Sequence, residues 1–268
     1  MSSDSTIDND VQNLLTPGQT IPFTYEGQTY QTWYTTTTSP APGSPSSRPP
    51  LVILHGGPGS THHYLLALLP LAKTYGIPLI FYDQVGNGLS THFRDVPAFT
   101  STPTSTSSTS DSTSPEPKLW TPNPKLTEFL TPELFMCELD NLLTHLNLKN
   151  QNPSSPFSLY GQSWGGMLAS QYVISRQPSN LQHLILSNAP SSIPLFSLTA
   201  SSLISKMPEG IQETVKRNVE KGTTQSVEFQ GAAVEVYKRH MCRLDPWPKE
   251  FVQTLGFLGE DPDVYYTM

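Results

Sequence analysis

Residues 159–166 read Leu-Tyr-Gly-Gln-Ser-Trp-Gly-Gly, which sets Ser163 between Gly161 and Gly165. A serine hydroxyl works as a nucleophile when a sharp turn lifts it clear of its surroundings and donors nearby can hold the charge its attack creates. An apolar run ending at Tyr160 predicts a buried strand, and Met167 to Gln177 predicts a helix after it. Strand, tight turn and helix are what such a turn requires, with Gly161, Gln162 and Gly165 building it around the serine. The helix N-terminus beneath Ser163 favours developing negative charge. The competing reading, an ordinary glycine-rich connection, accounts for the glycines but leaves the serine without a role.

A second stretch supplies the missing donors. Residues 51–59 read Leu-Val-Ile-Leu-His-Gly-Gly-Pro-Gly, an apolar strand running into a loop of His55, Gly56, Gly57, Pro58 and Gly59. Glycines there turn backbone N–H groups toward a ligand with no Cβ in the way, and Pro58 stiffens the loop. The N–H of Gly57 and that of Trp164, just after the serine, are the expected pair for an oxyanion. A Gly-Gly-Pro-Gly loop alone would be a plain strand–loop connection; paired with Ser163 it predicts acyl-transfer chemistry.

Three further stretches extend the pattern: Asp83-Gln-Val-Gly-Asn-Gly-Leu-Ser90, Glu133-Leu-Phe-Met-Cys-Glu-Leu-Asp140 and Arg239-His-Met-Cys-Arg-Leu-Asp-Pro-Trp-Pro248. With the other two, they resemble the prolyl aminopeptidase (proline iminopeptidase) family of α/β-hydrolases in its fungal-type branch, from about Pro22 to Met268. The resemblance implies an α/β fold with a mostly parallel sheet and a helical cap. It implies a serine aminopeptidase that releases N-terminal residues, proline preferred, from short peptides through an acyl-enzyme on Ser163. It calls for no cofactor and no metal.

Such hydrolases order their triad as serine, acid, histidine, the last two on loops after late strands. Here Ser163 follows the expected fifth strand, Leu181 to Ser187 is the next, and Asn188-Ala-Pro190 leads out of it. From about Leu195 onward the spacing is helical, and the chain stops at Met268, before the segment where relatives carry Gly-Pro-x-Glu-Phe, the last core strands, the acid and the histidine. The expectation is a truncated chain that lacks the acid and base, is inactive or impaired, and has a raw sheet edge.

The seven histidines offer no obvious substitute. His55 belongs to the loop, His62 and His63 are placed to line an entrance, and His145 and His183 read as structural. His240 with Asp245 is the rival pair, in the cap and in the wrong order. Near the position where relatives recognise a free amine with glutamate, the chain has Arg239-His240. An amino-acid amidase or esterase, or a catalytically dead binding protein of the same fold, therefore stay open as alternatives.

Composition bounds the rest. A formal charge of −7 and 14% charged residues give no basic patch, so nucleic acid is not an expected partner. No apolar run approaches a membrane span, and the polar, acidic start lacks the pattern of a secretory leader, so the expected setting is the cytoplasm. Cys137 and Cys242 have neither metal-ligand spacing nor a disulfide framework, and Cys137 falls on an apolar helical face. The expected organisation is a flexible start over 1–19, a core over 20–190 and an incomplete helical cap over 191–268. A disordered Ser/Thr/Pro insertion over 100–118 interrupts the core. Within the core, 21–25 and 29–36 predict a hairpin, and 51–54, 63–75 and 78–82 a β-α-β unit. Pro132 opens a helix whose leucines face inward and whose acids form a solvated face.

Overall fold

A computed structural model of the protein describes residues 13–38, 48–99, 123–149, 155–224 and 226–268. The insertion expected at 100–118, residues 1–12 of the expected flexible start and residues 39–47 lie outside the described residues. Strands β1 (Gln19–Tyr25) and β2 (Gln28–Thr36) pair antiparallel. Glu26 and Gly27 join them with φ of 46° and 76°, the two positive values that a tight right-twisting hairpin turn demands. Then come β3 (Leu51–Leu54), α1 (Leu69–Tyr75) after a 3-10 turn over His63–Leu68, and β4 (Leu79–Asp83). Helix α2 (Pro124–Phe129), which the sequence reading did not foresee, leads into α3 (Pro132–His145), where the Thr131 hydroxyl accepts the Leu134 N–H. β5 (Phe157–Gln162), α4 (Trp164–Arg176) and β6 (Leu181–Ser187) follow.

The strands form one six-stranded sheet ordered β1-β2-β4-β3-β5-β6. β4, β3, β5 and β6 run parallel, and β2 joins β4 antiparallel. β3 and β4 are buried on both faces, as parallel strands under helices must be. Their side chains alternate. Val52, Leu54, Ile80 and Tyr82 enter the larger core cluster with Leu134, Phe135, Leu139 and Leu142 of α3, while Leu51, Ile53, Leu79 and Phe81 pack with Leu65 and Leu69 on the other side. β1 and β6 are the edge strands, and on β6 Ile185 and Leu186 are exposed at 43% and 50%.

The chain forms two compact units. The described residues of the first fall within Met1–Thr100, Asn123–Pro190 and Lys249–Met268, and those of the second within Ser191–Pro248. The second carries α5 (Ile193–Ile204), α6 (Glu209–Lys221) and α7 (Val227–His240). Its buried Asn218 accepts from the Thr223 and Ser226 hydroxyls at 2.7 and 2.8 Å and so sets the turn between α6 and α7. No helix among the described residues is long and apolar enough to cross a membrane.

The second unit ends earlier than the cap boundary expected from sequence. Helices α8 (Lys249–Glu260) and α9 (Asp263–Thr267) belong with the sheet. The Tyr64 N–H donates to the Thr254 hydroxyl at 3.2 Å, Phe257 stacks on His63 at 5.1 Å between ring centroids, and Val264 is fully buried in the larger core. Asp261 meets His92 Nδ1 at 2.5 Å and Arg94 Nε at 3.5 Å. Helical spacing shows that a face is apolar, not which surface it covers.

The acids of α3 do not all face solvent either. Glu138 is fully buried, accepting the Thr32 hydroxyl at 2.6 Å and the Val85 N–H at 2.9 Å. Cys137, expected on a buried face, is only half-buried and lies against Glu133 and Arg176.

Burial pushes the Glu138 carboxyl up to about 8 against the donors that would lower it. A group raised on folding contributes stability that is complete below its unfolded value of 4.5 and is lost as pH rises through 8. Urea midpoints of the protein should therefore fall between pH 5 and pH 8, and Glu138→Gln should flatten that fall. An unchanged slope in the variant would assign the pH dependence to other groups.

Candidate active site

The parallel register of β3 and β5 sets Leu54 opposite Gly161. The loop of His55 to Gly59 and the turn at Ser163 therefore emerge side by side from the same edge of the sheet. β4 lies on the far side of β3, so the turn beginning at Gln84 emerges beside that loop as well.

Ser163 stands at the break between β5 and α4 with φ 52° and ψ −119°. This is a backbone conformation in which a Cβ is strained, held only because the surroundings over-determine it. Ser163 N–H donates to the Ser187 carbonyl on β6 at 2.9 Å, and its own carbonyl accepts from Gly166 and Met167. The helix starts at Trp164, three residues before the predicted start, because the elbow leads directly into helical hydrogen bonding. Trp164 N–H is one of the first-turn donors left without an intrahelical acceptor. Gly165 packs its α-carbon against the end of β3: a Cβ there would stand 2.3 Å from the Leu54 carbonyl oxygen.

The facing loop is equally tight. Gly57 has φ 111° and precedes a cis peptide to Pro58, and Gly59 has φ 103° with the Tyr265 backbone directly against it. Gly56 N–H donates to the Tyr64 hydroxyl at 2.8 Å, and that hydroxyl donates to Gln162 Oε1 at 2.6 Å. His55 is fully buried, and burial lowers its pKa and keeps it neutral. Its Nε2 accepts the Gln84 N–H at 2.9 Å, so the ring proton sits on Nδ1, which donates to the Gly56 carbonyl at 3.0 Å. Gln84 also donates from Nε2 to the His55 carbonyl and accepts the Trp164 indole N–H, at 3.0 and 2.9 Å.

His62 and His63 do not line an entrance; both are buried. His62 donates its N–H and Nδ1–H to Asp83 Oδ1 at 2.7 and 2.9 Å and stacks on Trp33. Burial alone would raise the Asp83 carboxyl, but the two neighbouring imidazoles and the N–H donors outweigh it and hold it at about 2. His63 bonds the Thr61 hydroxyl, and burial lowers it to about 4. His92 is held by Asp261, which raises its pKa, His145 by Tyr34 and His183 by Ser158. Thus His55, His62, His63, His92, His145 and His183 are each engaged with partners other than Ser163. Among the described residues, no group of three or more His, Cys, Asp or Glu is arranged to hold a metal ion.

Sequence reasoning found the loop and the elbow but missed Tyr64 and the reach of Gln84. Gln84 lies inside a motif quoted for its glycines, and only the strand order shows that its side chain crosses His55 to Trp164.

The alpha/beta hydrolase fold profile matches residues 49–257. A proline iminopeptidase of Lactobacillus delbrueckii subsp. bulgaricus is 32% identical over 204 residues, covering 76% of this chain and 57% of that protein. The chain thus spans little more than half the length of that curated relative. Among solved structures, the crystal structure of VinJ superposes with a TM-score of 0.74 at 36% identity, over 94% of this chain and 71% of that one. A Mycobacterium smegmatis proline iminopeptidase superposes with a TM-score of 0.67 at 31% identity, over 92% and 70%.

The strain at Ser163 is measurable. Ser163→Gly removes the strained Cβ, whereas Ser163→Ala retains it, so the glycine variant should unfold at higher urea concentration by about 1 kcal/mol relative to the alanine variant. Equal midpoints would mean that the elbow carries no net strain.

Proposed function

The chain belongs to the alpha/beta hydrolase family, among the relatives of the proline iminopeptidases, and from that premise we propose that it is a serine hydrolase of the prolyl aminopeptidase type. It acts on short peptides in the cytoplasm, releasing the N-terminal residue with proline preferred. The observation that carries this reading is the strained Ser163 at the strand-to-helix break, beside a glycine loop in parallel register.

In this mechanism the Ser163 hydroxyl attacks the carbonyl of the N-terminal residue. The N–H groups of Gly57 and Trp164 hold the oxyanion, each such donor being worth about 3–4 kcal/mol of transition-state stabilisation. The amine of the remaining peptide leaves, and water releases the acyl group. A base must take the serine proton and an acid must protonate the departing amine. None of the six histidines engaged elsewhere is placed for that by its hydrogen bonds. With oxyanion stabilisation alone, a residual rate of about 10³–10⁴ over water is what such sites retain.

The engagement of those six histidines favours, as second reading, an esterase or amidase with weak activity or a catalytically silent binding protein. An aryl ester expels a phenolate that needs no protonation, so it should be turned over faster than any arylamide. Expected with the 268-residue chain is measurable aryl-ester hydrolysis and slower proline-arylamide hydrolysis, the latter exceeding alanine- and leucine-arylamide. All of these should be abolished by Ser163→Ala. Turnover that survives the substitution would refute Ser163 as the nucleophile, and none with a folded chain would refute the hydrolase reading and leave the silent one.

A further inference from the structure

Two side chains outside the reacting set join the glycine loop to the nucleophile turn, and each does so at a different level. The Tyr64 hydroxyl accepts the Gly56 N–H and donates its own O–H to Gln162 Oε1. It therefore bridges the residue before Gly57 and the residue before Ser163. Gln84 holds His55 by both its backbone N–H and its side-chain amide, and holds the Trp164 indole by its carbonyl oxygen. It bridges the residue two before Gly57 and the residue that follows Ser163. Gln84 and His55 are fully buried, and Trp164 is 8% exposed, so water cannot replace these bonds without opening the core.

From these two bridges we infer that Tyr64 and Gln84 are positioning residues that set the distance and tilt between the Gly57 and Trp164 N–H groups. This inference rests on the oxyanion role proposed above for that pair. The peptide planes of the loop are stiff. The Gly56 N–H and the His55 carbonyl fix the His55–Gly56 peptide, and the His55 ring, held by Gln84, donates from Nδ1 to the Gly56 carbonyl, which limits the rotation left to the Gly56–Gly57 peptide that carries the proposed donor N–H. Fixing the Trp164 indole limits the first residue of α4 in the same way. Glycine at 56 is what lets the bridge close, since a Cβ there would stand 2.5 Å from Gln162 Oε1 and 3.1 Å from the Tyr64 oxygen. A small misplacement of such donors weakens the charged transition state far more than the neutral ground state.

Labelling by an alkyl fluorophosphonate isolates this step. The Ser163 oxygen bonds to phosphorus, fluoride departs with the phosphorus–fluorine bond, the serine proton passes to solvent, and the phosphoryl oxygen occupies the oxyanion position. Fluoride leaves without an acid, so the readout does not require a complete triad. The maximal labelling rate, followed by intact mass, should fall at least tenfold in Tyr64→Phe and in Gln84→Met, with the half-saturating probe concentration within twofold of the parent. Tyr34→Phe removes a hydroxyl of the same kind, bonded to Gln19 and His145 on the hairpin, and should label at the parent rate. Each of the two site variants tests the inference alone if the other does not fold. Parent-like labelling in a folded Tyr64→Phe or Gln84→Met, with a labelling parent, would overturn the positioning role and leave the hydrolase reading intact. A folded parent that does not label would overturn the hydrolase reading, and the positioning role with it.

Discussion

The close approach of α4 to the end of β3 is the contact on which the site depends. Gly165 sits so near the Leu54 carbonyl that no side chain fits between helix and strand. That contact fixes where α4 begins, and so where the chain must reverse at Ser163. The register of Leu54 against Gly161 then places the glycine loop beside the reversal. Ser163 adopts its strained backbone because sheet and helix are both already placed, and its N–H and carbonyl are tied to β6 and α4. Removing that clearance would move Ser163 away from the glycine loop.

Two buried carboxylates near the site show how surroundings decide charge. Asp83 and Glu138 are both fully buried. Asp83 faces two imidazoles and several N–H donors and keeps its charge, which anchors the His62 backbone and the turn after β4. Glu138 meets only a hydroxyl and an amide, with Asp83 close enough to repel, and its charge is suppressed around neutrality. Both support the turn that presents Gln84: Asp83 ties down its far end at Leu89, and Glu138 accepts from Val85.

Much of this was legible in the residues. The stretches 51–54 and 78–82 read as strands because they are apolar throughout, and the Ser163 turn read as an elbow because its glycines and flanks leave few alternatives. Pro132 after Thr131 marked the start of α3 within the residue. What stayed illegible depends on contacts between distant segments. Glu138 occupies a position that helical spacing leaves ambiguous, and only the neighbouring Thr32 and Val85 draw it inward. α8 carries an apolar face suited equally to a cap or a core, and Thr254 and Phe257 show their match to Thr61, His63 and Tyr64 only in three dimensions. The bridges of Tyr64 and Gln84 likewise follow from strand order, which local patterns do not encode.

The burial of Val264 bears on synthesis as well as structure. Its side chain fills the same cluster as Phe93 and the α3 leucines, and a Cβ on Gly86 would meet its methyl at 2.6 Å. A ribosome must therefore release α9 before that cluster closes. Until then the nascent sheet presents an unfilled notch beside the turn after β4. Contacts so distant along the chain slow folding and leave apolar surface open to other chains in the interval.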